Sequence, residues 1–314
     1  MINKELIEKA LQNIKGLAEY EFFFDNLTKP DWILPLHDKD LFSDPFKPIR
    51  KNDFIKFPIW PQSRYLQRMA NKDADTVLKV MLEIPETDNV RIHEDFVKAA
   101  CKMPVNLAAK VAEKEVKWID KQNHLYFLLP RELGKLISYL AKGGEIEIAL
   151  KLSKVLLCII PVQNNKKQSG EDKNISQNSY LDSKTRIRLS DYQQVINKYI
   201  IPDLVPAAQM KTLDLLTDLL QNAIVSLYRE IEGPDDHSHQ WRRAIEDHEQ
   251  NLASNIEYVL VEAVRDASDK LMQKHGRQVL SFLEDEKRQY KIFFLSLFTG
   301  ICILISTYSG ILSI

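Results

Sequence analysis

The residues with the strongest metal-binding character in this sequence are histidines and carboxylates that follow a Gly-Pro step. The cluster comprises Asp235, Asp236, His237, His239, His248 and Glu249. Imidazole nitrogens and carboxylate oxygens bind zinc and other divalent ions. However, the cluster contains no His-Glu-x-x-His spacing, no cysteine is near it, and the preceding Gly233-Pro234 predicts a loop. We therefore predict no metal site and no cofactor.

A second group of residues combines positive charge with aromatic rings. Its members are Lys47, Arg50, Lys51, Phe54, Lys56, Phe57, Trp60, Arg64, Tyr65 and Arg68. Because bases stack on aromatic rings and phosphates attract lysine and arginine, such a group could form a platform for single-stranded nucleic acid. Asp44 and Asp53 interrupt the positive charge, and prolines among the aromatic residues are typical of a packed loop. The packed loop is the favoured interpretation, and nucleic acid is not an expected partner.

Three residues could act as acids or bases in catalysis: Asp88, His93 and Glu94. A helix that starts near Asn89 would instead make them a helix cap and a solvent-exposed face. The sequence contains no Gly-x-Ser-x-Gly, no Cys-x-x-Cys and none of the glycine-rich motifs that hold nucleotide phosphates. We predict that the chain is not an enzyme and has no catalytic residues.

The composition is that of a folded, mostly helical protein. The 314 residues include only nine glycines, and 45% of them are hydrophobic. Because few positions can adopt a positive φ cheaply, tight-turned β structure is disfavoured. The net charge of −1 provides no general attraction for nucleic acid. Cys101, Cys158 and Cys302 are odd in number and far apart, and the charged N-terminus lacks a signal-peptide pattern, so reduced thiols and a cytoplasmic location are expected.

The elements that must position these residues include a repeated pair of helices. The segment Leu66–Met81 can be superposed on Val97–Ala112 with an offset of 31 residues, and Leu140–Leu156 is a third copy at a longer spacing. A helix pair repeated every 30–45 residues or so is typical of an α-solenoid, in which each pair buries its apolar face against its neighbours. The predicted fold class is all-α, an α-solenoid of helix pairs.

Apolar residues at steps of three and four predict the buried faces of individual helices. One such stripe comprises Val105, Ala108, Ala112, Val116 and Ile119, after Pro104. A second comprises Leu213, Leu216, Leu220, Ile224, Leu227 and Ile231. The longest helix is predicted from near Trp241 to His275, with Leu252, Ile256, Val259, Ala263, Ala267 and Leu271 on one side.

Changes in composition divide the chain into five predicted regions. They are an N-terminal cap with a Pro-rich loop (1–61), a helical-repeat module (62–161), a mobile linker (162–188), a second helical module (189–289) and an apolar C-terminal helix (290–314). Two short helices with an aromatic-rich turn are expected within Ile2–Leu41. Four prolines between Phe42 and Pro61 predict an irregular loop. The linker is assigned because its polar residues can bury too little surface to offset the cost of ordering.

Three segments carry a resemblance to a known group of proteins: Trp60–Ala70 (WPQSRYLQRMA), Thr87–Arg91 (TDNVR) and Trp241–Asn251 (WRRAIEDHEQN). As a set they resemble the N-terminal region of large prokaryotic proteins with HEAT- or armadillo-like helices, some of them associated with defence gene neighbourhoods. The resemblance runs from about Glu21 to Gln289. It implies a helical-repeat fold and transfers no catalytic residue. Members of the group continue with further repeats, whereas this sequence stops in an apolar run.

That apolar run, residues 292–313, contains 22 residues without a charge. As a helix it would span about 33 Å, enough for the ~30 Å hydrocarbon layer of a bilayer. Lys287, Arg288 and Lys291 precede it, which predicts a single-pass C-terminal anchor with the bulk of the chain in the cytoplasm. A stripe of small residues, Ser296, Gly300, Thr307 and Gly310, would permit self-association. The alternative is a buried solenoid helix whose covering repeat was lost by truncation, in a wholly cytoplasmic chain.

The sequence therefore predicts a non-enzymatic helical-repeat scaffold that binds a protein partner on the solenoid surface and is tethered to a membrane. The alternative function is a truncated soluble subunit of a prokaryotic defence-type effector. Such a subunit would contact nucleic acid or carry an enzymatic site that spacing does not reveal.

Overall fold

The computed structural model of the chain describes residues 4–51, 54–122, 124–159, 185–231 and 256–275. This part is mostly helical, which confirms the predicted all-α class. The chain divides into two compact units, residues 1–264 and residues 265–314. Of the second unit, the structure describes only the C-terminal half of one helix.

Helices account for most elements, with one short hairpin near the N-terminus. In chain order the elements are α1 (Lys4–Gln12), α2 (Leu17–Asn26), a 3₁₀-helix (Pro30–Trp32), α3 (Ile33–His37), β1 (Ile49–Lys51), β2 (Phe54–Lys56), α4 (Pro61–Met69), α5 (Ala74–Glu83), α6 (Val90–Ala100), α7 (Val105–Ile119), α8 (Leu129–Lys142), α9 (Ile146–Leu156), α10 (Leu189–Val195), a π-helix (Ile196–Leu204), α11 (Val205–Ala208), α12 (Met210–Ile231) and α13 (Ile256–His275).

The N-terminal region contains more regular structure than predicted. Three helices and a 3₁₀-helix stand where two helices were expected, because Pro30 starts a 3₁₀ turn that continues into α3. The predicted irregular loop of residues 42–61 contains the hairpin β1–β2, in which Ile49 pairs with Lys56 and Lys51 with Phe54. Its four prolines lie outside both strands, so they remove no hydrogen bond from the ladder.

Local sequence sets where the central helices begin. The Asp73 side chain accepts a hydrogen bond from the backbone N–H of Thr76 (3.2 Å) at the start of α5, and Asn89 accepts one from Arg91 (3.2 Å) at the start of α6. Pro61 and Pro130 lie in the first turns of α4 and α8, where a missing N–H costs nothing. The three segments that the sequence predicts to be repeated are the pairs α4–α5, α6–α7 and α8–α9.

These helices pack in two series. In one series, which contains the first helix of each pair, contacts run in the order α2, α4, α6, α8 and the π-helix. In the other series, which contains the second helix of each pair, they run in the order α1, α3, α5, α7, α9 and α12. Within each pair the two helices also contact each other. Every internal helix is therefore covered by the preceding pair, by the following pair and by its own partner.

The core starts in the N-terminal cap. Phe24, Phe42, Trp60 and Tyr65 are fully or almost fully buried there, and their rings meet at centroid distances of 6.0 Å (Phe24 and Tyr65) and 6.4 Å (Phe42 and Trp60). The core then continues along both series of helices. Large aromatic residues thus fill the N-terminal end of the stack.

The predicted apolar stripes agree with the buried faces where side chains are described. Ala108, Ala112 and Ile119 of α7 are buried, although Val105 and Val116 are only half-buried. Buried residues that the stripe did not include are Leu107, Val111, Glu115 and Trp118, because α5, α6, α8 and α9 all contact this helix. In α12 the described members Leu213, Leu216 and Leu220 are buried; in α13 the described members Ile256, Val259, Ala263, Ala267 and Leu271 are buried.

Several predictions concern residues outside the described ranges. They are residues 162–184 of the mobile linker, the start of the last long helix at residues 241–255 and the C-terminal helix 290–314 with its anchor 292–313. Among the helices that are described, none combines the length and the apolar character needed to cross a membrane. The predicted region boundaries stay predictions.

Candidate interaction surface

An exposed aromatic cluster lies in the loop between α7 and α8. Phe127 and Leu128 are 48% and 50% exposed. The Phe127 ring meets the Phe57 ring edge-on at 5.5 Å, and the guanidinium carbon of Arg91 lies 4.9 Å from its centroid. The Tyr126 ring also contacts Phe57, with 5.4 Å between the two ring centroids. We call these five residues, Phe57, Arg91, Tyr126, Phe127 and Leu128, the Phe127 surface.

The backbone at Phe127 is held in an unfavourable conformation. Its φ of 55° is in the left-handed region, which costs a bulky residue about 1–3 kcal/mol. Contacts on both sides keep the loop in place: Glu94 Oε1 accepts a hydrogen bond from the Leu128 N–H (3.0 Å), and the buried Leu125 donates its N–H to the Arg186 carbonyl (2.7 Å). The exposed ring is therefore presented by a fixed loop.

A cationic hairpin adjoins this surface. Lys47, Arg50, Lys51 and Lys56 are all exposed, and Lys56 immediately precedes Phe57. The Asn89 side-chain amide donates hydrogen bonds to the Phe46 and Pro58 carbonyls (2.8 Å each), which fixes the base of the hairpin on the start of α6. No carboxylate of the described residues forms an ion pair with these four cations.

Three aromatic rings of the candidate nucleic-acid platform, those of Phe57, Trp60 and Tyr65, belong to the core. Trp60 and Tyr65 have no exposed surface, Phe57 is 8% exposed, and the Tyr65 hydroxyl donates to the Lys29 carbonyl (2.6 Å). The side chain of Phe54 lies outside the described residues. The prolines thus border a packed segment, as favoured from the sequence, and the rings of Trp60 and Tyr65 offer no face on which a base could stack.

The prediction that Asp88, His93 and Glu94 form a helix cap and a solvent-exposed face is wrong for His93 and Glu94. The helix starts near Asn89 as predicted, but Asn89 itself is the cap. Asp88 is exposed, whereas His93 and Glu94 are only 2% and 4% exposed. The reason is that α4, α7 and α8 all pack on α6 and leave little of its surface in solvent. A face can be polar in sequence and still be buried when its groups are paired.

His93 forms a closed polar pair with Glu115. Its Nδ1 lies 2.8 Å and 3.0 Å from the two Glu115 oxygens, and its Nε2 lies 2.9 Å from the Thr87 carbonyl. The imidazole also stacks on the Trp118 ring at a centroid distance of 3.5 Å. Because a carbonyl can only accept, the Nε2–H of His93 donates to Thr87, and Nδ1 faces both oxygens of the Glu115 carboxylate.

This pair joins helices and has no access to a substrate. Glu115 has no exposed surface, so neither group can exchange a proton with a bound molecule. The arrangement instead gives the buried His93 and Glu115 side chains hydrogen-bond partners, whereas Nε1 of Trp118 beside them is buried and has no partner among the described residues. Sequence analysis missed Glu115, although Ala108, Ala112, Glu115 and Ile119 share one helical phase and a carboxylate at a core position is a recognisable signal.

The described cysteines are free thiols. Cys101 and Cys158 are half-buried, and burial raises the pKa of the Cys101 thiol to about 11. Cys302 and the His237–Glu249 cluster lie outside the described residues. Within the part of the chain that the structure covers, no group of three or more His, Cys, Asp or Glu side chains is arranged to hold a metal ion.

A second exposed apolar region lies between α1 and α2. An open cleft of about 520 Å³ is lined by Ala10, Asn13, Ile14, Ala18, Glu19, Phe22, Phe23, Asn26 and Leu27. Phe22 at its edge is 70% exposed. The Phe127 surface differs from this cleft in that a guanidinium group lies directly over its exposed ring.

Comparison with protein-family models, with curated proteins and with solved structures finds no match for this chain. The interpretation of the site therefore depends on its own geometry. The sequence did not single out Arg91, Tyr126 and Phe127. A run of aromatic and apolar residues in the loop just before Pro130 was the available signal, and Arg91 gains its role only through the fold.

Proposed function

We propose that the chain is a non-enzymatic helical-repeat scaffold, an α-solenoid-like protein-interaction module that residues 292–313 tether to a membrane. The observation that carries the proposal is a series of side-chain ties between successive helix pairs. These ties join residues that are 30 to 36 positions apart, which is the length of one predicted repeat.

Tyrosine hydroxyls provide the most regular ties. Tyr65 donates to the Lys29 carbonyl (2.6 Å, 36 residues earlier), and Tyr139 donates to the Met103 carbonyl (2.6 Å, 36 residues earlier). Tyr192 donates to the Leu157 carbonyl (3.3 Å, 35 residues earlier). Each accepting carbonyl follows a helix or lies in the turn after it, where backbone oxygens lack helical partners.

Cationic side chains satisfy further carbonyls in the same way. Lys114 of α7 donates to the Met81 and Ile84 carbonyls at the end of α5 (2.7 Å each). Arg186 donates to the Val155 carbonyl near the end of α9 (2.8 Å). Since the C-terminal end of a helix carries partial negative charge, these cations stabilise it while joining consecutive pairs.

Repeated ties between neighbouring pairs support a scaffold because a stack of this kind buries each pair only on its neighbours. Its long surface then remains available to a partner. The groups with catalytic character, His93, Glu94 and Glu115, are used within the stack. Non-enzymatic binding is the function that this use of polar groups favours.

Affinity purification of the tagged full-length chain tests the proposal. We expect one protein to co-purify, and the same protein, expressed separately, to form a complex of fixed stoichiometry with the purified chain in light scattering. Nucleic acid or metal in place of a protein would favour the alternative, a truncated subunit of a defence-type effector with nucleic-acid contact or an enzymatic site.

The membrane tether has its own test. The uncharged run 292–313 follows Lys287, Arg288 and Lys291, a sequence pattern that would keep the helical region cytoplasmic. Full-length protein is expected in the membrane fraction after alkaline carbonate extraction. Recovery of monomeric full-length protein from the soluble fraction without detergent would contradict the tether and favour an uncovered helix of a truncated solenoid.

A further inference from the structure

The Phe127 surface combines three features that are energetically unfavourable in the free protein and that binding to a partner would compensate. A phenylalanine is half-exposed, its backbone has φ of 55°, and an exposed leucine follows it. A glycine at this position would have no strain, and a polar residue would be better hydrated. Aromatic residues held rigidly at a surface are typical anchors of protein interfaces, because little entropy is lost when they bind.

The guanidinium group of Arg91 can bind a carboxylate of a partner. Its central carbon lies 4.9 Å from the centroid of the Phe127 ring, and its side-chain N–H groups have no acceptor among the described residues. A planar guanidinium with free N–H groups binds carboxylates in a bidentate manner. The nearest described carboxylates along the chain, Asp88 and Glu94, form no ion pair with it.

Further cations lie around the ring, although the exposed Asp44 and Asp88 are close to them in sequence. Lys47, just before the hairpin, and Arg50, Lys51 and Lys56 within it are exposed, and no described carboxylate pairs with them. In a chain of net charge −1 such a cluster is a local feature. A partner that meets both the ring and these cations must offer an apolar side chain with carboxylates beside it.

We propose that the Phe127 surface binds an acidic peptide segment of a partner protein, in which a large apolar side chain is flanked by Asp or Glu residues. The apolar side chain packs against Phe127 and Leu128, and the carboxylates bind Arg91 and the hairpin cations. This inference rests on the proposed scaffold function and names the chemistry of its partner.

The geometry favours a peptide over a nucleic acid. Single-stranded nucleic acid requires open ring faces for successive bases. Here the guanidinium of Arg91 covers one face of Phe127, Phe57 is mostly buried, and Trp60 and Tyr65 lie in the core. Leu128, an aliphatic side chain, suits an apolar partner residue better than a base.

Fluorescence anisotropy with a defined probe tests the inference on the purified full-length chain. The probe is a labelled nonapeptide with a central Phe and four Glu residues on each side. Two control peptides replace all Glu by Gln or the central Phe by Ala, and a labelled oligothymidine reports nucleic-acid binding. We expect the acidic Phe peptide to bind in a salt-sensitive manner and both control peptides to bind at least about tenfold more weakly.

Matched variants locate the binding site. Phe127→Gly removes the ring and the strain together, and Arg91→Gln removes the guanidinium; each should weaken the acidic Phe peptide at least about tenfold. Phe22→Ala and Lys15→Gln remove an exposed ring and an exposed charge from the α1–α2 region and should change affinity less than twofold. Circular dichroism confirms that each variant is folded.

Three results would overturn the inference: no binding of the acidic Phe peptide, equal binding by Phe127→Gly, or oligothymidine binding that depends on Phe127. The outcome is separable from that of the scaffold proposal. If a protein still co-purifies at fixed stoichiometry with the Phe127→Gly variant, the scaffold stands and only this docking site is lost.

Discussion

Helix α6 carries two polar side chains, only two residues apart, that have opposite environments. Arg91, on its first turn, lies at the surface over an exposed ring, whereas His93 lies inside the stack against Glu115. Both involve residue types that perform chemistry in many proteins. The difference shows that burial decides their role: the closed pair stabilises the fold, and the open guanidinium is available to a partner.

Removal of the buried carboxylate should have the largest effect. Glu115→Ala leaves the Nδ1 side of His93 without a partner and opens a cavity between α6 and α7, so we expect the free energy of unfolding to fall by about 3–5 kcal/mol. Glu115→Gln can still pair with His93 and should cost only about 1 kcal/mol. Urea unfolding followed by circular dichroism measures both, and a loss below about 1 kcal/mol in Glu115→Ala would show that the pair is unimportant.

The next largest loss of stability is expected where α8 closely approaches the π-helix. A Cβ atom at Gly134 of α8 would lie 2.4 Å and 2.7 Å from ring atoms of Tyr199 in the π-helix. Gly134→Ala should therefore lower the free energy of unfolding by about 1–2 kcal/mol, because overpacking outweighs the gain in helix propensity. At the exposed Gly16 the nearest atom is the end of the Glu19 side chain, so Gly16→Ala is the control, with a change below about 1 kcal/mol. A more stable Gly134→Ala variant would contradict the packing of α8 on the π-helix.

The half-buried thiol of Cys101 should react more slowly in the folded chain than in the unfolded chain. Burial raises the pKa of Cys101 from 9.0 to about 11, so the folded state favours the neutral thiol. The resulting stabilisation is complete below about pH 9 and is lost as the pH rises towards 11. At pH 8, alkylation of Cys101 should be about 100-fold slower in the native chain than in urea. Peptide mapping measures both rates, and a difference of less than about threefold would mean that the thiol is accessible.

The smallest change in stability is expected at the surface. Phe127→Gly removes about 1–3 kcal/mol of backbone strain and loses ring contacts of similar size, so the free energy of unfolding should change by less than about 1 kcal/mol. The difference between the stability losses of Glu115→Ala and Phe127→Gly is therefore the sharpest test of how the buried pair differs from the surface ring. A loss of several kcal/mol in Phe127→Gly would identify the ring as a core residue, and its exposure would then need another explanation.

The sequence predicted the helical elements better than the environment of their residues. Periodicity identified α7 and the buried leucines of α12, because spacing along a helix reflects which face is covered. It could not show that Glu115 is buried, since its pairing with His93 depends on two helices that meet only in the fold. Arg91 and Phe127 are 36 positions apart, so their contact likewise comes from stacking. The hairpin β1–β2 was missed because prolines on both sides of it obscured two very short strands.

Zero-length carbodiimide cross-linking of exposed ion pairs tests most directly whether successive helix pairs stack as described. Glu86 and Lys121 lie 2.8 Å apart across 35 residues, Glu8 and Lys39 lie 3.0 Å apart across 31 residues, and Glu147 pairs with Lys211. Because all six side chains are accessible, mass spectrometry should identify all three cross-links, and Lys121→Gln should remove only the first. Absence of these cross-links, with the same lysines linked to other carboxylates, would contradict the stacked arrangement on which the scaffold proposal depends.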